Sequence, residues 1–198
     1  MKPHLLDAIQ QRYACREFIA DQPVSTHALA LLLEAGRLAP SAFGLEPWRF
    51  VTVTGTAEKT ALAHACFDQP AATSAAAFIV VIALVDKLDP DSDYVRARFE
   101  AEARDQDVAP IHAAYRHFYH ADSIAAWAQG QCNYAAAHML LQAAHLGIGS
   151  CPIGGFDADA LATILSVETG EIPTLVIALG HCRHVAPERV RKPLEPSS

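Results

Sequence analysis

Positive charge is in short supply in this chain: 15 lysines and arginines stand against 22 aspartates and glutamates, a formal net charge of −7. A protein that tracks a phosphate backbone needs a cationic face to displace counterions, so nucleic acid is not an expected partner. Long apolar runs are lacking too. The longest, Ala75 to Val85, stops at Asp86, well short of the roughly 20 residues that cross a bilayer. Near the start, Asp7, Gln10, Gln11 and Arg12 interrupt any stretch that could act as a secretory signal. The expectation is a cytoplasmic protein with no membrane partner. Cysteine is sparse: Cys15, Cys66, Cys132, Cys151 and Cys182 are odd in number and widely scattered. That is a poor disulfide framework, and buried free thiols are expected instead. Linkers rich in Gly, Ser and Pro are missing, as are repeats, so residues 1–198 are read as a single domain.

What is present is apolar. Hydrophobic residues make up 52% of the chain and charged ones 19%, a balance that suggests some apolar surface is covered by a partner, most simply a second copy of the chain. Leu5, Ile9 and Tyr13 fall four apart and mark an amphipathic helix ending near Arg12. Ser25 can cap a second helix with Leu29, Leu32 and Leu33 on one face, and Pro40 forbids its continuation. Trp48 to Thr54 alternates like a half-covered strand, and Phe78 to Val85 is continuously apolar like a central one. The charged stretch from Ser92 to His120 has helical spacing and little apolar face, so it is expected to be an exposed helical excursion. Asp122 to Leu146 is the longest helical candidate, apolar nearly all round in its second half and stopped by Gly147 and Gly149. Asp157 can cap a short helix, Thr174 to Leu179 reads as a strand, and the basic end from His181 onward is expected to be extended. Interleaved helices and strands place the chain in the α/β or α+β class.

Several motifs fail on inspection. "LGIGSCPIGG" offers a G-x-G pair at Gly147 and Gly149, but Pro152 displaces the third glycine and a helix precedes it, so a dinucleotide fingerprint is rejected. Ser150 lacks the glycine frame of a hydrolase elbow. His181, Cys182 and His184 match no zinc spacing, and no metal site is expected. Arginine at both ends remains. "RYACREF" sets Arg12 and Arg16 four apart, and "ERVRKPL" puts Arg189 and Arg191 on one side of an extended segment. If the ends converge, these guanidiniums would form a phosphate clamp of the kind arginine's planar fork suits.

The order "RYACREF", "LAPSAFGLEPWRF", "LGIGSCPIGGFD" and a terminal "RKPL" resembles the nitroreductase family of FMN-dependent NAD(P)H oxidoreductases, with "SAFGLEPW" similar to a variant of the commoner S-x-x-N-x-Q-P-W. The resemblance implies an α+β nitroreductase-like fold: a mixed central sheet flanked by helices, in a homodimer with active sites at the interface. It implies FMN as cofactor and NAD(P)H as co-substrate, and a ping-pong exchange in which flavin N5 takes hydride and a small acceptor such as a quinone or nitroaromatic then takes the electrons. No catalytic side chain is implied, because the flavin carries the chemistry.

Residue by residue, the resemblance assigns Arg12, with Tyr13 and Ala14 beside it, and Arg189 and Arg191 to the FMN phosphate. Arg16 falls near the pyrimidine edge, as does the amide of Gln69 or its neighbour Asp68. Pro152, Ile153, Gly154 and Gly155 match a turn whose backbone approaches N5. Pro40, Ser41 and Gly44 match a loop that reaches the flavin from the other subunit, while Trp48 and Phe50 are read as the start of a core strand. Phe118 or Tyr119 could line the acceptor slot. Ala14, Gly44, Glu46 and Gly154 depart from common family residues. Alternatives are another flavin enzyme on the same fold, or a non-catalytic flavin-binding protein.

Overall fold

The computed structural model describes residues 5–104 and 106–193. In chain order its elements are α1 (Leu5–Gln11), α2 (Thr26–Arg37), β1 (Trp48–Val53), α3 (Thr56–Ala65), α4 (Pro70–Thr73) and β2 (Ala77–Leu84). There follow α5 (Asp93–Ala103), α6 (Ala109–Phe118), α7 (Ile124–His145), β3 (Gly149–Ile153), α8 (Ala158–Ile164) and β4 (Glu171–Gly180). The strands form one sheet in the order β1-β2-β4-β3, each neighbouring pair antiparallel. The expected mixed sheet is corrected to an antiparallel one; Ala14 and Ser150 make a parallel pairing, but only as an isolated bridge. The class is α+β.

Strand β2 explains the layering. Every residue in it is buried, because its alternate side chains feed two separate cores. Ala77, Ile79, Val81 and Ala83 pack with α2 and α7, whereas Phe78, Val80 and Ile82 pack with α3 and α8. Pro152 is tolerated in β3 because that strand is the last of the four and the bridge on its outer side falls at Ser150, two residues away. Local chemistry sets the helix ends. Ser25 Oγ accepts from the Ala28 N–H at 3.1 Å and Asp157 Oδ1 from the Ala160 N–H at 3.0 Å, satisfying donors that a first helical turn leaves orphaned. Gly147 adopts φ 72° just past α7 and stops it.

The stretch from Ser92 to His120 corrects the expectation of an excursion with little apolar face. Val95, Phe99 and Tyr115 are completely or almost completely buried. Few apolar residues are needed, because Val95 and Phe99 lie four apart on α5 and meet Tyr115 of α6, whose hydroxyl donates to the Leu88 carbonyl at 2.7 Å. Among the described residues no helix is long and apolar enough to cross a membrane.

Candidate functional site

Residues 13–19 and 181–184 meet along the β3–β4 side of the sheet. Cys15 N–H donates to the Ser150 carbonyl at 3.0 Å, Ile19 N–H to His181 at 2.9 Å, and Arg183 N–H to Glu17 at 3.0 Å, so residues 14–19 run as an added edge. The Arg183 and His184 side chains hold Glu17 at 2.8 and 3.1 Å, and the Tyr13 hydroxyl donates to the His184 carbonyl at 2.7 Å. Farther out, Arg189 caps the end of α1: Nη2 donates to the Gln10 carbonyl at 2.9 Å, the Ile9 carbonyl at 3.2 Å and the Arg12 carbonyl, where a cation meets the negative end of the helix dipole.

This framework brings Arg12, Arg189 and Arg191 around one groove of about 450 Å³. The Arg12 guanidinium is held below its ordinary pKa, first by burial and then by repulsion from Arg189 and Arg191. Arg16 Nη1 approaches Cys151 Sγ at 4.0 Å. Burial pushes the Cys151 thiol up, while Arg16 and Arg12 pull it the other way. Among the described residues no carboxylate pairs with Arg12, Arg16, Arg189 or Arg191. Glu188 also lines the groove without bonding any of the four, and gathered guanidiniums of this kind suit a multiply charged anion.

The neighbouring turn continues from β3. Ile153 is buried in the α3/α8 core, and Pro152 and Ile153 deliver the chain to Gly154 and Gly155. A Cβ on Gly154 would meet nothing within 4 Å, so no contact inside the chain demands glycine there. Gln69 Nε2 donates to the Gly155 carbonyl at 2.9 Å and to Cys66 at 3.0 Å, tying the start of α4 to this turn. Its neighbour Asp68, at φ 49°, points elsewhere and pairs with His64 Nδ1 at 2.8 Å.

Pro40, Ser41 and Gly44 belong to a corner that enters β1, the outer strand at the other edge of the sheet. Their corner leads through buried Leu45 into Trp48, and both side chains belong to the α2/α7 core. Phe43 packs its ring 5.2 Å from Phe118 and 5.2 Å from Tyr115, and Tyr119 sits 6.2 Å from Tyr115. The terminal arms and the glycine turn therefore gather at the β3 edge of the sheet, and the corner leads into β1 at the other edge. Sequence reasoning missed Tyr94 and Arg98, which grip this corner. Their spacing of four on a polar helix was the signal.

The cysteines bring a correction. Cys15 and Cys182 form a disulfide with Cα atoms 5.9 Å apart, although 167 positions separate them. The pairing of Phe18 with Cys182 carries them together, which no spacing in the sequence reveals. Cys66, Cys132 and Cys151 are free and buried, and burial pushes the Cys66 and Cys132 thiols up to about 11 and about 12.

Residues 9–181 match the Nitroreductase family. The chain is 31% identical over 209 aligned positions to the Putative NAD(P)H nitroreductase of Staphylococcus haemolyticus (strain JCSC1435), covering 98% of this chain and 96% of that one. Against the Putative NAD(P)H nitroreductase YfkO of Bacillus subtilis (strain 168) it is 32% identical, with 85% and 81% covered. Among solved structures, a nitroreductase-like protein from Streptococcus mutans superposes with a TM-score of 0.85 at 21% identity, covering 95% and 93%. A nitroreductase crystallised in complex with FMN, from Exiguobacterium sibiricum 255-15, gives 0.81 at 23% identity, covering 96% and 94%. The chain belongs to the nitroreductase family.

Proposed function

We propose that this chain is an FMN-dependent oxidoreductase that takes hydride from NAD(P)H and passes electrons to small planar acceptors such as quinones and nitroaromatics. The observation that carries the reading is the convergence of Arg12, Arg189 and Arg191 without a carboxylate partner. Those guanidiniums would hold the dianionic phosphate. Arg16, exposed beyond Cys151, would set a cation near the pyrimidine edge, where negative charge gathers on reduction. The backbone at Gly154 and Gly155 would face the ring, and Gly154 offers the open approach such contact needs. Gln69 would fix that turn through Gly155. Bound FMN supplies the hydride-accepting chemistry, and the protein orients its partners.

The same placement supports assembly as a homodimer. A ligand seated between the arms and the glycine turn of one chain lies across the sheet from that chain's own corner, so Pro40, Ser41 and Gly44 would reach it from a second copy. An apolar face is available for the contact. Leu5, Leu6, Ile9, Leu38 and Tyr134 are all exposed, and a groove between α1, α2 and α7 is lined by Leu5, Ala8, Ala35 and Leu141. Burying such a face removes apolar surface from water.

The test is optical. Purified protein should be yellow, heat should release FMN, and rapid mixing with NADPH or NADH should bleach the colour, with return on adding a quinone. A yellow protein that neither nicotinamide bleaches would be a flavin binder without this activity. A colourless protein that takes up no added FMN would sink the reading.

A further inference from the structure

From Phe43 to Glu46 three residues of four occupy the left-handed region: Phe43 at φ 59°, Gly44 at 63° and Glu46 at 42°. Non-glycine residues stay there only where their surroundings hold them. Part of the hold is local: Gly44 N–H donates to the Ser41 carbonyl at 3.1 Å and Glu46 N–H to Ser41 Oγ at 2.8 Å. From α7, Gln131 Oε1 accepts from the Ala42 N–H at 2.9 Å. The rest comes from one stripe of α5, where Tyr94, Arg98 and Glu102 follow at intervals of four and so stack on one face. The Tyr94 hydroxyl lies 2.8 Å from both the Leu45 and Glu46 carbonyls. Arg98 donates from Nε and Nη2 to the Gly44 carbonyl, both at 3.0 Å, and from Nη2 to Glu46 Oε1 at 2.6 Å. The Glu102 carboxyl carbon stands 3.1 Å from where a Cβ on Gly44 would be.

We propose that Arg98 is the positioning residue for the acceptor side of the site. This rests on the function proposed above, in which the corner abuts the cofactor of a second copy. One guanidinium engages a backbone carbonyl and a carboxylate together, fixing the path of the corner and neutralising Glu46. With the corner so held, Phe43 closes a wall with Phe118 and Tyr115, and Phe118 remains 38% exposed at its outer end. A flat aromatic acceptor gains from stacking on such a wall, so the wall's placement decides how well the acceptor fits. Lysine cannot replace Arg98, because a point charge cannot span the two partners as a planar fork does.

The test compares Arg98→Ala, Arg98→Lys and Glu46→Gln in flavin-loaded protein. Reduction by NADPH is followed by rapid mixing, and reoxidation is followed with 1,4-benzoquinone and with a bicyclic naphthoquinone. Arg98→Ala should raise KM for the naphthoquinone by up to about tenfold, the scale of one lost aromatic stacking contact, and by clearly more than it slows reduction. Arg98→Lys should fall between Arg98→Ala and wild type. Glu46→Gln should have the smallest effect, because it leaves the Gly44 contact in place. Equal losses in the two half-reactions, or Glu46→Gln matching Arg98→Ala, would overturn the assignment. If Arg98→Ala does not fold, the order of Arg98→Lys and Glu46→Gln decides. Wild-type protein that NADPH cannot reduce would remove the underlying function as well, and is distinguished by needing no variant.

Discussion

The terminal arms and the corner at residues 41–46 treat arginine in opposite ways. At the arms Arg12, Arg189 and Arg191 crowd together, and burial and mutual repulsion disfavour charge on Arg12. At the corner Arg98 is saturated by Gly44 and Glu46. An unneutralised cluster weakens the empty protein and strengthens it once an anion arrives. A saturated pair gives shape to a backbone that would otherwise leave its left-handed conformation. Unpaired charge therefore marks where a ligand is expected, and paired charge marks the scaffold beside it.

The contrast breaks most visibly at the arms. Replacing Arg12 and Arg191 together by Ala should weaken FMN binding by at least about 3 kcal/mol, roughly a hundredfold, since each charged contact contributes about 1.5–3 kcal/mol. Fluorescence titration of FMN measures it. The same substitutions should leave the melting temperature of flavin-free protein unchanged or raise it, because they relieve repulsion. A lowered value would mean that the guanidiniums serve the fold. Next in size, Gly154→Ala should cost about 1–2 kcal/mol of FMN affinity through overpacking against the ring, with no loss of stability without flavin, because a Cβ there meets nothing.

Corner substitutions should act the other way. Tyr94→Phe strips a donor from the Leu45 and Glu46 carbonyls and should lower stability by about 1 kcal/mol, a fall of about 2–4 °C for a chain of this size. Flavin-free protein should show it fully. A control belongs to neither region. Arg49 on β1 bonds Glu171 on β4 at 2.6 Å across β2, and this bond above all holds the Glu171 carboxyl below its ordinary pKa. The stability it adds is complete above the unfolded glutamate value of about 4.3 and is lost as pH falls through the lower folded value. Glu171→Gln should flatten that acid limb in denaturation curves recorded between neutral pH and strong acid.

Elements with local causes were legible in the sequence. Ser25, Asp157 and Gly147 announce helix ends because capping is decided within a few residues, and β2 reads as central because both of its faces are apolar. Strand β3 was not legible. Gly149 is there because a Cβ would come 3.0 Å from the Gly180 carbonyl and strike Cys182, with Cys15 Sγ at 3.2 Å, a reason supplied by segments distant in sequence. The Cys15–Cys182 link fails for the same reason. At the site, clusters of arginine could be read from each end separately. Their meeting depends on residues 14–19 running first beside β3 and then beside the segment after β4, and the engagement of Gln69 with Gly155 depends on the left-handed pair Phe67 and Asp68 that turns the chain into α4.

In the proposed homodimer, the division of the candidate site between opposite edges of the sheet would have a genetic consequence. A copy crippled at Arg12 still owns a sound corner, and a copy crippled at Arg98 still owns sound arms. Mixed within one pair, such defective copies would complement each other, rebuilding one intact centre and concentrating both lesions in the other.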